Sequence, residues 1–365
     1  MTSAPPVSVV MAVRDGERYL DEAIGSLRRQ TFSDFELIVV DDASTDGSRA
    51  ILSACDDPRL VVLQTARHLG LTPSLNRGLA RARGELVARQ DADDRSRPER
   101  LVRQVAAMRA RPHLALLGSR GYLVDEQGRG VGVFDRPVDP WGIRWYHMFD
   151  NAFAHGAAMF RRSVVAELGG YDESFAWSQD WELWGRVLRR HAAANLPDRL
   201  VDYRTHAASV TATPRDPARH GEYVRRIVAA NVETTVGLRL SSAEIDLMSG
   251  FLLGLDRGDL GRYLALVDRL VVAFQRCHPQ AAANGEPVRT LGVQLDALAA
   301  RARPARRATV VGVYAAALRR RPALAGRLPL TRAVARLLFG PGGIVWLRRL
   351  GFGRPVPAAG RARPQ

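Results

Sequence analysis

The sequence contains no lysine: all 53 of its basic residues are arginine. It has only two cysteines, Cys55 and Cys277. They are too few for a disulfide framework and lack metal-type spacing, so a reducing cytoplasm is the expected location. No uninterrupted apolar run approaches the roughly 18 residues a membrane-spanning helix needs. Residues 1–6 run straight into the first apolar segment, so no signal peptide is expected. There is no internal repeat and no Gly-rich Walker loop. Acids are missing from residue 301 onward, where the chain has fifteen Arg and no Asp or Glu. The whole chain carries a net charge of +15, so residues 1–300 are balanced and the entire surplus lies in the tail. That separates the tail's role from the chemistry of the body.

The 365 residues, 46% of them hydrophobic, suffice for one large domain with an appended piece. Residues 7–13, Val-Ser-Val-Val-Met-Ala-Val, form a continuous apolar run between Pro6 and the polar Arg14-Asp15-Gly16, as a buried parallel strand would. Residues 19–30 then place Leu20, Ala23, Ile24 and Leu27 at helical spacing. Strands are expected at 35–40, 60–63 and 85–88, and helices at 48–55 and 73–83, the last closed by Gly84. This alternation predicts an α/β doubly wound, mostly parallel sheet. The second strand runs into Asp41-Asp42, and the fourth into Gln90-Asp91-Ala92-Asp93-Asp94. Asp-rich loops are often solvated turns, but two strands here deliver carboxylates to one sheet edge. Such edges bind ligands, and Mg²⁺ or Mn²⁺ there bridge carboxylates to phosphates.

The first strand, the block from Gln30 to Asp46, Asn76-Arg77-Gly78, Gly84-Glu85 and Asp91-Ala92-Asp93-Asp94 resemble family 2 glycosyltransferases over roughly the first 210 residues. The resemblance implies a GT-A fold and inverting sugar transfer from a nucleotide-activated donor. It implies that Asp42 hydrogen-bonds the nucleotide base, that Asp91 lies near the ribose and the metal, and that Asp93 coordinates the divalent cation on the diphosphate. Ala12 and Arg14 at the end of the first strand, with Arg67, are further candidate donor contacts; His68 and Arg89 are other basic groups near the donor strands. Two departures stand out: Arg14-Asp15 replaces the usual Tyr-Asn, and Ala43 the usual Gly.

In such a reaction the departing diphosphate gains negative charge, which a metal held by Asp93 would offset. Inversion needs one base on the far side of the sugar. Asp180, in Trp177-Ser178-Gln179-Asp180-Trp181-Glu182-Leu183-Trp184, matches the position of the family's base. It precedes an apolar helical face of Leu183, Val187 and Leu188, so it could also serve as a cap. Its predecessor is Gln179 where the family has Glu, and Glu182 is the fallback base. The segment 151–162, containing His155, resembles the family's acceptor-side strand. His155 is therefore a candidate acceptor or phosphate contact, or else a structural histidine. Residues 203–211 resemble the closing Tyr-Arg-x-His-x-x-Ser motif, in which His206 could reach the metal and Arg204 could pair with phosphate oxygens. A surface turn with an incidental His is the plain alternative.

The expected domains are 1–214 for the GT-A body, 215–300 for a helical appendage, and 301–365 for an Arg-rich tail with a disordered end. Helices are expected at 223–236, 242–255, 260–275 and 288–300. In the tail, apolar stretches with Trp, Phe and Leu anchors alternate with Arg, which suits a helix lying on an anionic membrane surface. The predicted protein is a cytoplasmic enzyme, peripheral on the inner face of the membrane. It would act on a lipid-linked or saccharide acceptor in cell-surface polysaccharide or glycolipid assembly. A nucleotidyltransferase and a non-catalytic nucleotide-sugar-binding protein are the alternatives. Nucleic acid is a disfavoured partner, for want of a motif or an aromatic platform.

Overall fold

The computed structural model describes residues 4–206, 216–253 and 260–283. The expected helix at 288–300, residues 207–211 of the closing motif and the Arg-rich tail lie outside them.

Strand β1 (Val7–Val13) is buried along almost its whole length, which requires neighbours on both faces. Its alternate residues enter two different cores. Val7, Val9, Met11 and Val13 pack with Leu20, Ile24, Leu27, Leu101 and Val105, while Val10 packs with Leu75, Ile38, Val87 and Trp184 on the other side. The first core is closed by α1 (Leu20–Arg28) and α4 (Arg100–Ala110), the second by α3 (Leu71–Arg81) and α7 (Gln179–Arg190). Each fully buried Val or Leu contributes about 1.5–3 kcal/mol. A polar substitution such as Val9→Asp would strand an unpaired charge in the core and break the sheet.

The remaining strands are β2 (Phe35–Asp41), β3 (Leu60–Gln64), β4 (Leu86–Asp91), β5 (Arg95–Ser96), β6 (Leu114–Val124), β7 (Gly130–Phe134), β8 (Met159–Arg161) and β9 (Ala192–Arg204). They form one sheet ordered β3-β2-β1-β4-β8-β6-β9-β5, with β7 paired to β6. The first four strands in that order are parallel. The order reverses between β1 and β4, the switch point at which open α/β sheets take their ligands. Beyond β4 the sheet continues through antiparallel β8, which then pairs with β6. Gly84, just before β4, has a plain steric reason: a Cβ there would come within 2.6 Å of the Ser8 backbone nitrogen.

The first compact unit runs Met1–Ser241, past the 214 boundary expected from sequence. It includes α8 (Pro217–Val236), which packs against α7 and α5 (Pro140–His147). This helix starts earlier than the expected residue 223 because Asp216 caps it by accepting the Arg219 N–H at 3.0 Å, with Pro217 in the first turn. The second unit, from Ser242, contains α9 (Ser242–Leu253), α10 (Leu260–Cys277) and α11 (Pro279–Ala283), with α10 packed on α9 and α11. Among the described residues no helix is long and apolar enough to cross a membrane.

Candidate active site

Register brings the acids together. Ala12 of β1 lies opposite Val40 on one side and Asp91 on the other, and Val13 lies opposite Asp41. The Asp42 N–H then donates to the Val13 carbonyl at 2.8 Å. Asp42 and Asp91 therefore flank the carboxyl end of β1. Two loops are tied together just above it. The Asp15 carboxylate accepts the Thr45 N–H at 2.7 Å, and the Gly16 N–H donates to Ser48 Oγ at 2.9 Å. Arg14 is partly exposed and pairs with Asp15 at 3.5 Å.

Asp42 is buried, and its oxygens accept from the Leu69 N–H (2.7 Å), the Gly70 N–H (2.8 Å), Thr65 Oγ (3.2 Å) and His68 Nδ1 (2.8 Å). Burial opposes its charge, but the two amides and His68 outweigh this and hold the carboxyl below the usual range. Its oxygens thus organise the 65–70 loop, and a nucleotide base would have to share or displace one of these donors. Arg67 in that loop is exposed.

The second acidic group sits at the end of β4. The Asp91 carboxylate is paired with the buried Arg89 at 2.6 Å. Asp94 is buried, with one oxygen accepting the Arg204 N–H at 2.8 Å and the other without a partner among the described residues. Burial and the neighbouring acids raise both carboxyls, Asp94 the more strongly. Asp93 is more open, and its Oδ2 lies 2.9 Å from His206 Nε2. The single turn of 3-10 helix at His155–Ala157 is pressed against this cluster. A Cβ on Gly156 would lie 2.7 Å from Asp91 Oδ2 and 2.9 Å from Asp94 Oδ2.

The pairing of β5 with β9, Arg95 opposite Asp202, carries the closing motif to the acids. Arg204 is buried there with its fork turned inward. Nε donates to the Asp93 carbonyl at 2.9 Å, Nη1 to the Asp125 and Glu126 carbonyls, and Nη2 to Glu22. The guanidinium also covers the Tyr19 ring at 4.5 Å, and that ring meets His206 at 5.1 Å. The donors assigned from sequence to phosphate oxygens are therefore engaged in holding the Asp93-Asp94 loop. His155 is likewise engaged, 2.8 Å from the Tyr171 hydroxyl. Burial, helped by the Arg89 charge, keeps it well below its ordinary pKa and hence neutral.

Asp180 lies in the first turn of α7, following Ser178, whose φ of +58° turns the chain into the helix. Its Oδ2 accepts Asn151 Nδ2 at 2.7 Å. Burial lifts its pKa to about 6, partly offset by the Trp181 N–H and by Arg89, and reinforced by the charge of Asp91. A carboxylate with that value can take a proton near neutral pH. Glu182, the fallback from sequence, has both of its oxygens bonded by Arg186 at 2.7 Å.

The segment around Asp180 is fixed by His147, which sequence reasoning passed over. His147 is buried; its Nε2 donates to the Trp181 carbonyl at 3.1 Å, and its Nδ1 accepts the Ala152 N–H at 3.3 Å. Burial pushes its pKa down to about 3, so this neutral tautomer persists. Trp181 Nε1 returns a bond to the His147 carbonyl at 3.0 Å. Asn76 acts similarly, bonding both the N–H and the carbonyl of Tyr171 at 2.9 Å. Asn151 begins the 151–162 segment, but a partner 29 positions away leaves no local signal.

Residues 8–169 match the profile described as Glycosyl transferase family 2. The chain is 38% identical over 194 residues to EpsE of Bacillus subtilis (strain 168), a protein named as a glycosyltransferase, covering 52% of this chain and 68% of that one. It is 31% identical over 208 residues to the O-antigen biosynthesis glycosyltransferase WbnJ of Escherichia coli, covering 56% and 81%. The chain belongs to glycosyl transferase family 2. Among solved structures it is similar in fold to S. aureus TarS 1–349 in complex with UDP-GlcNAc, with a TM-score of 0.53 at 19% identity, covering 79% of this chain and 90% of that one. The fold is of GT-A type, and the chain is a glycosyltransferase.

Do the residues present fit a divalent cation? Among the described residues no three His, Cys, Asp or Glu side chains are grouped to hold one. Asp93 and His206 stand together beside two acids whose ionisation is opposed by burial and by their neighbours. A protein carboxylate completed by substrate phosphates and water is a normal Mg²⁺ arrangement, so Asp93, with His206 beside it, fits that mode and not a closed protein cage.

Proposed function

We propose that the chain moves a sugar from a nucleoside-diphosphate donor to an acceptor hydroxyl with inversion, in the assembly of a cell-surface polysaccharide or glycolipid. The observation that carries the reading is Asp180. It is a carboxylate with its pKa raised to about 6, anchored by Asn151 and close enough to Asp91 to sense its charge. A base is thus opposed to a group of acids at the ligand-binding edge of the sheet.

In this mechanism Asp180 removes the proton of the acceptor hydroxyl. The freed oxygen pair attacks the anomeric carbon from the face opposite the diphosphate. The bond from that carbon to the phosphate oxygen breaks, and its electrons leave with the nucleoside diphosphate, so the configuration inverts. A divalent cation bound by Asp93 and His206 would supply charge stabilisation to the leaving diphosphate. Arg204 holds the loop carrying Asp93, while Asn151 and His147 hold Asp180 on its helix. Asp42 and Ala12 border the nucleotide end, with Arg14 and Arg67 at its exposed rim. The support for a nucleotide sugar is that TarS has been solved with UDP-GlcNAc, and for a polysaccharide that WbnJ is named for O-antigen biosynthesis.

The test is incubation with UDP-, GDP- and dTDP-sugars, Mg²⁺ or Mn²⁺, and saccharide or lipid-linked acceptors. Release of nucleoside diphosphate and an inverted anomeric signal by NMR are expected. Release of pyrophosphate would point to nucleotidyl transfer, and binding without turnover to a non-catalytic role; either outcome overturns the proposal.

A further inference from the structure

Two arginines lie fully buried on either side of the β4 backbone, and they differ in one respect. Arg100 uses all its donors: Nε on Gln104, Nη1 on Gln90 and Ser96, Nη2 on the Arg89 and Ala158 carbonyls. Arg89, equally enclosed at 1% exposure, has only its Nη2 bond to Asp91 at 2.6 Å. Its Nε–H and Nη1–H have no partner among the described residues. Leaving buried N–H groups of a cation unsatisfied is costly, and natural folds avoid it unless something else meets them.

The place of Arg89 indicates what that is. It shares the β4 face of Val87 and Asp91, the face covered by Tyr171, Trp184 and the start of α7. Its charge is felt by Asp91, His155, Tyr171 and Asp180, groups that come from four separate segments. Arg89 therefore lies near both the acidic cluster and Asp180. In an in-line displacement the transferred sugar must occupy the space between leaving group and base. The Asp91 carboxylate already balances the charge of Arg89, so the remaining N–H groups are suited to neutral oxygens.

We propose that Arg89 is a specificity-determining residue of the donor site, its Nε–H and Nη1–H hydrogen-bonding hydroxyl oxygens of the sugar being transferred while Nη2 remains on Asp91. This rests on the glycosyl-transfer reading above. Sites built to bond a hydroxyl discriminate strongly, because a missing partner leaves their own buried donors unpaired.

The experiment compares wild type with Arg89→Met and Arg89→Lys by calorimetry with Mn²⁺. The probes are UDP-glucose, UDP-galactose, UDP-GlcNAc, GDP-mannose and dTDP-rhamnose, each beside its own nucleoside diphosphate. In Arg89→Met the ratio of nucleotide-sugar Kd to nucleoside-diphosphate Kd should rise at least about tenfold, with diphosphate affinity held within about threefold. Diphosphate binding serves as the control for folding, and Arg89→Lys replaces Arg89→Met if the latter does not fold. An unchanged ratio overturns the proposal, as does parallel loss of both ligands. Failure of both variants to fold also overturns it, since Arg89 would then be a structural ion. A wild type that binds no nucleotide sugar refutes the donor reading instead.

Discussion

Replacing Asp180 by Asn should disable the enzyme and make it more stable. The site raises the pKa of this carboxyl from an ordinary value near 4 to about 6, chiefly by burial. Two units correspond to about 3 kcal/mol at roughly 1.4 kcal/mol each. The side chain is only partly enclosed, so solvent reduces the recoverable part to roughly 1–3 kcal/mol. The sign follows from linkage. Below about pH 4 the carboxyl is protonated in both folded and unfolded chains, and ionisation costs the fold nothing. The cost grows between pH 4 and 6, as the unfolded chain ionises first, and is constant above. Asparagine lacks the charge yet offers the Asn151 amide an oxygen to bond, so the substitution removes the penalty without opening a gap.

Urea denaturation of Asp180→Asn and wild type at pH 4 and pH 7.5 measures this, because the difference between them cancels the titration of groups not coupled to Asp180. The variant should match wild type at pH 4 and exceed it at pH 7.5. Turnover should fall by roughly 10²–10⁴-fold, with nucleoside-diphosphate affinity unchanged. In wild type kcat/KM should drop tenfold per pH unit below about 6. A variant less stable at pH 7.5, or a stability difference independent of pH, would refute the account of a partly desolvated, ionised carboxyl. Normal turnover would remove Asp180 from the chemistry altogether.

Other parts of the site give sharper structural contrasts. Arg204→Ala removes the clamp on the Asp93 loop, while the partly exposed Glu22 keeps Arg95 as a partner; it should cost about 1–3 kcal/mol, seen as a lowered denaturation midpoint together with lost activity. Gly156→Ala drives a methyl against Asp91 and Asp94; about 1–3 kcal/mol of overpacking strain and a raised donor KM are expected, whereas Gly130→Ala, which meets nothing within 4 Å, should be silent. Ala43→Gly relieves a left-handed φ of +55° and should stabilise by up to about 1 kcal/mol, the relief exceeding the added chain entropy. EDTA should abolish turnover, Mn²⁺ or Mg²⁺ should restore it, and His206→Ala should raise the metal concentration needed.

The parallel half of the sheet was legible because its strands are apolar on both faces and punctuated by acids. Residues 7–13, 35–40 and 60–63 read as strands directly, and their carboxyl ends named the binding edge. The antiparallel half was not legible. Strand β8 has three residues and β5 two, too short for any periodicity. The helix between them, α4, buries Arg100 and Gln104, so its inner face does not read as apolar. The Asp180 segment stood out through its resemblance to the family's base motif, but the roles of its neighbours did not. An Arg that clamps a loop and an Arg that awaits a ligand have the same letter. Only the partners of Arg204 and Arg89 separate them.

Backbone conformation gives an independent indication of where this fold concentrates its function. Among the described residues three non-glycine positions have left-handed φ: Asp15 at +51°, Ala43 at +55° and Ser178 at +58°. The first follows β1, the second follows β2, and the third opens the helix that carries Asp180. Such conformations cost roughly 1–2 kcal/mol each and persist only where the surroundings over-determine them. Here the surroundings do so visibly, for Asp15 bonds Thr45 and the Ser178 turn is followed by the Trp181–His147 exchange. The left-handed turns, the unpartnered atoms of Arg89 and Asp94, and the raised Asp180 carboxyl border the same sheet edge. A scaffold selected for stability alone would have relaxed them, so their coincidence argues that binding and chemistry fix the geometry of that edge.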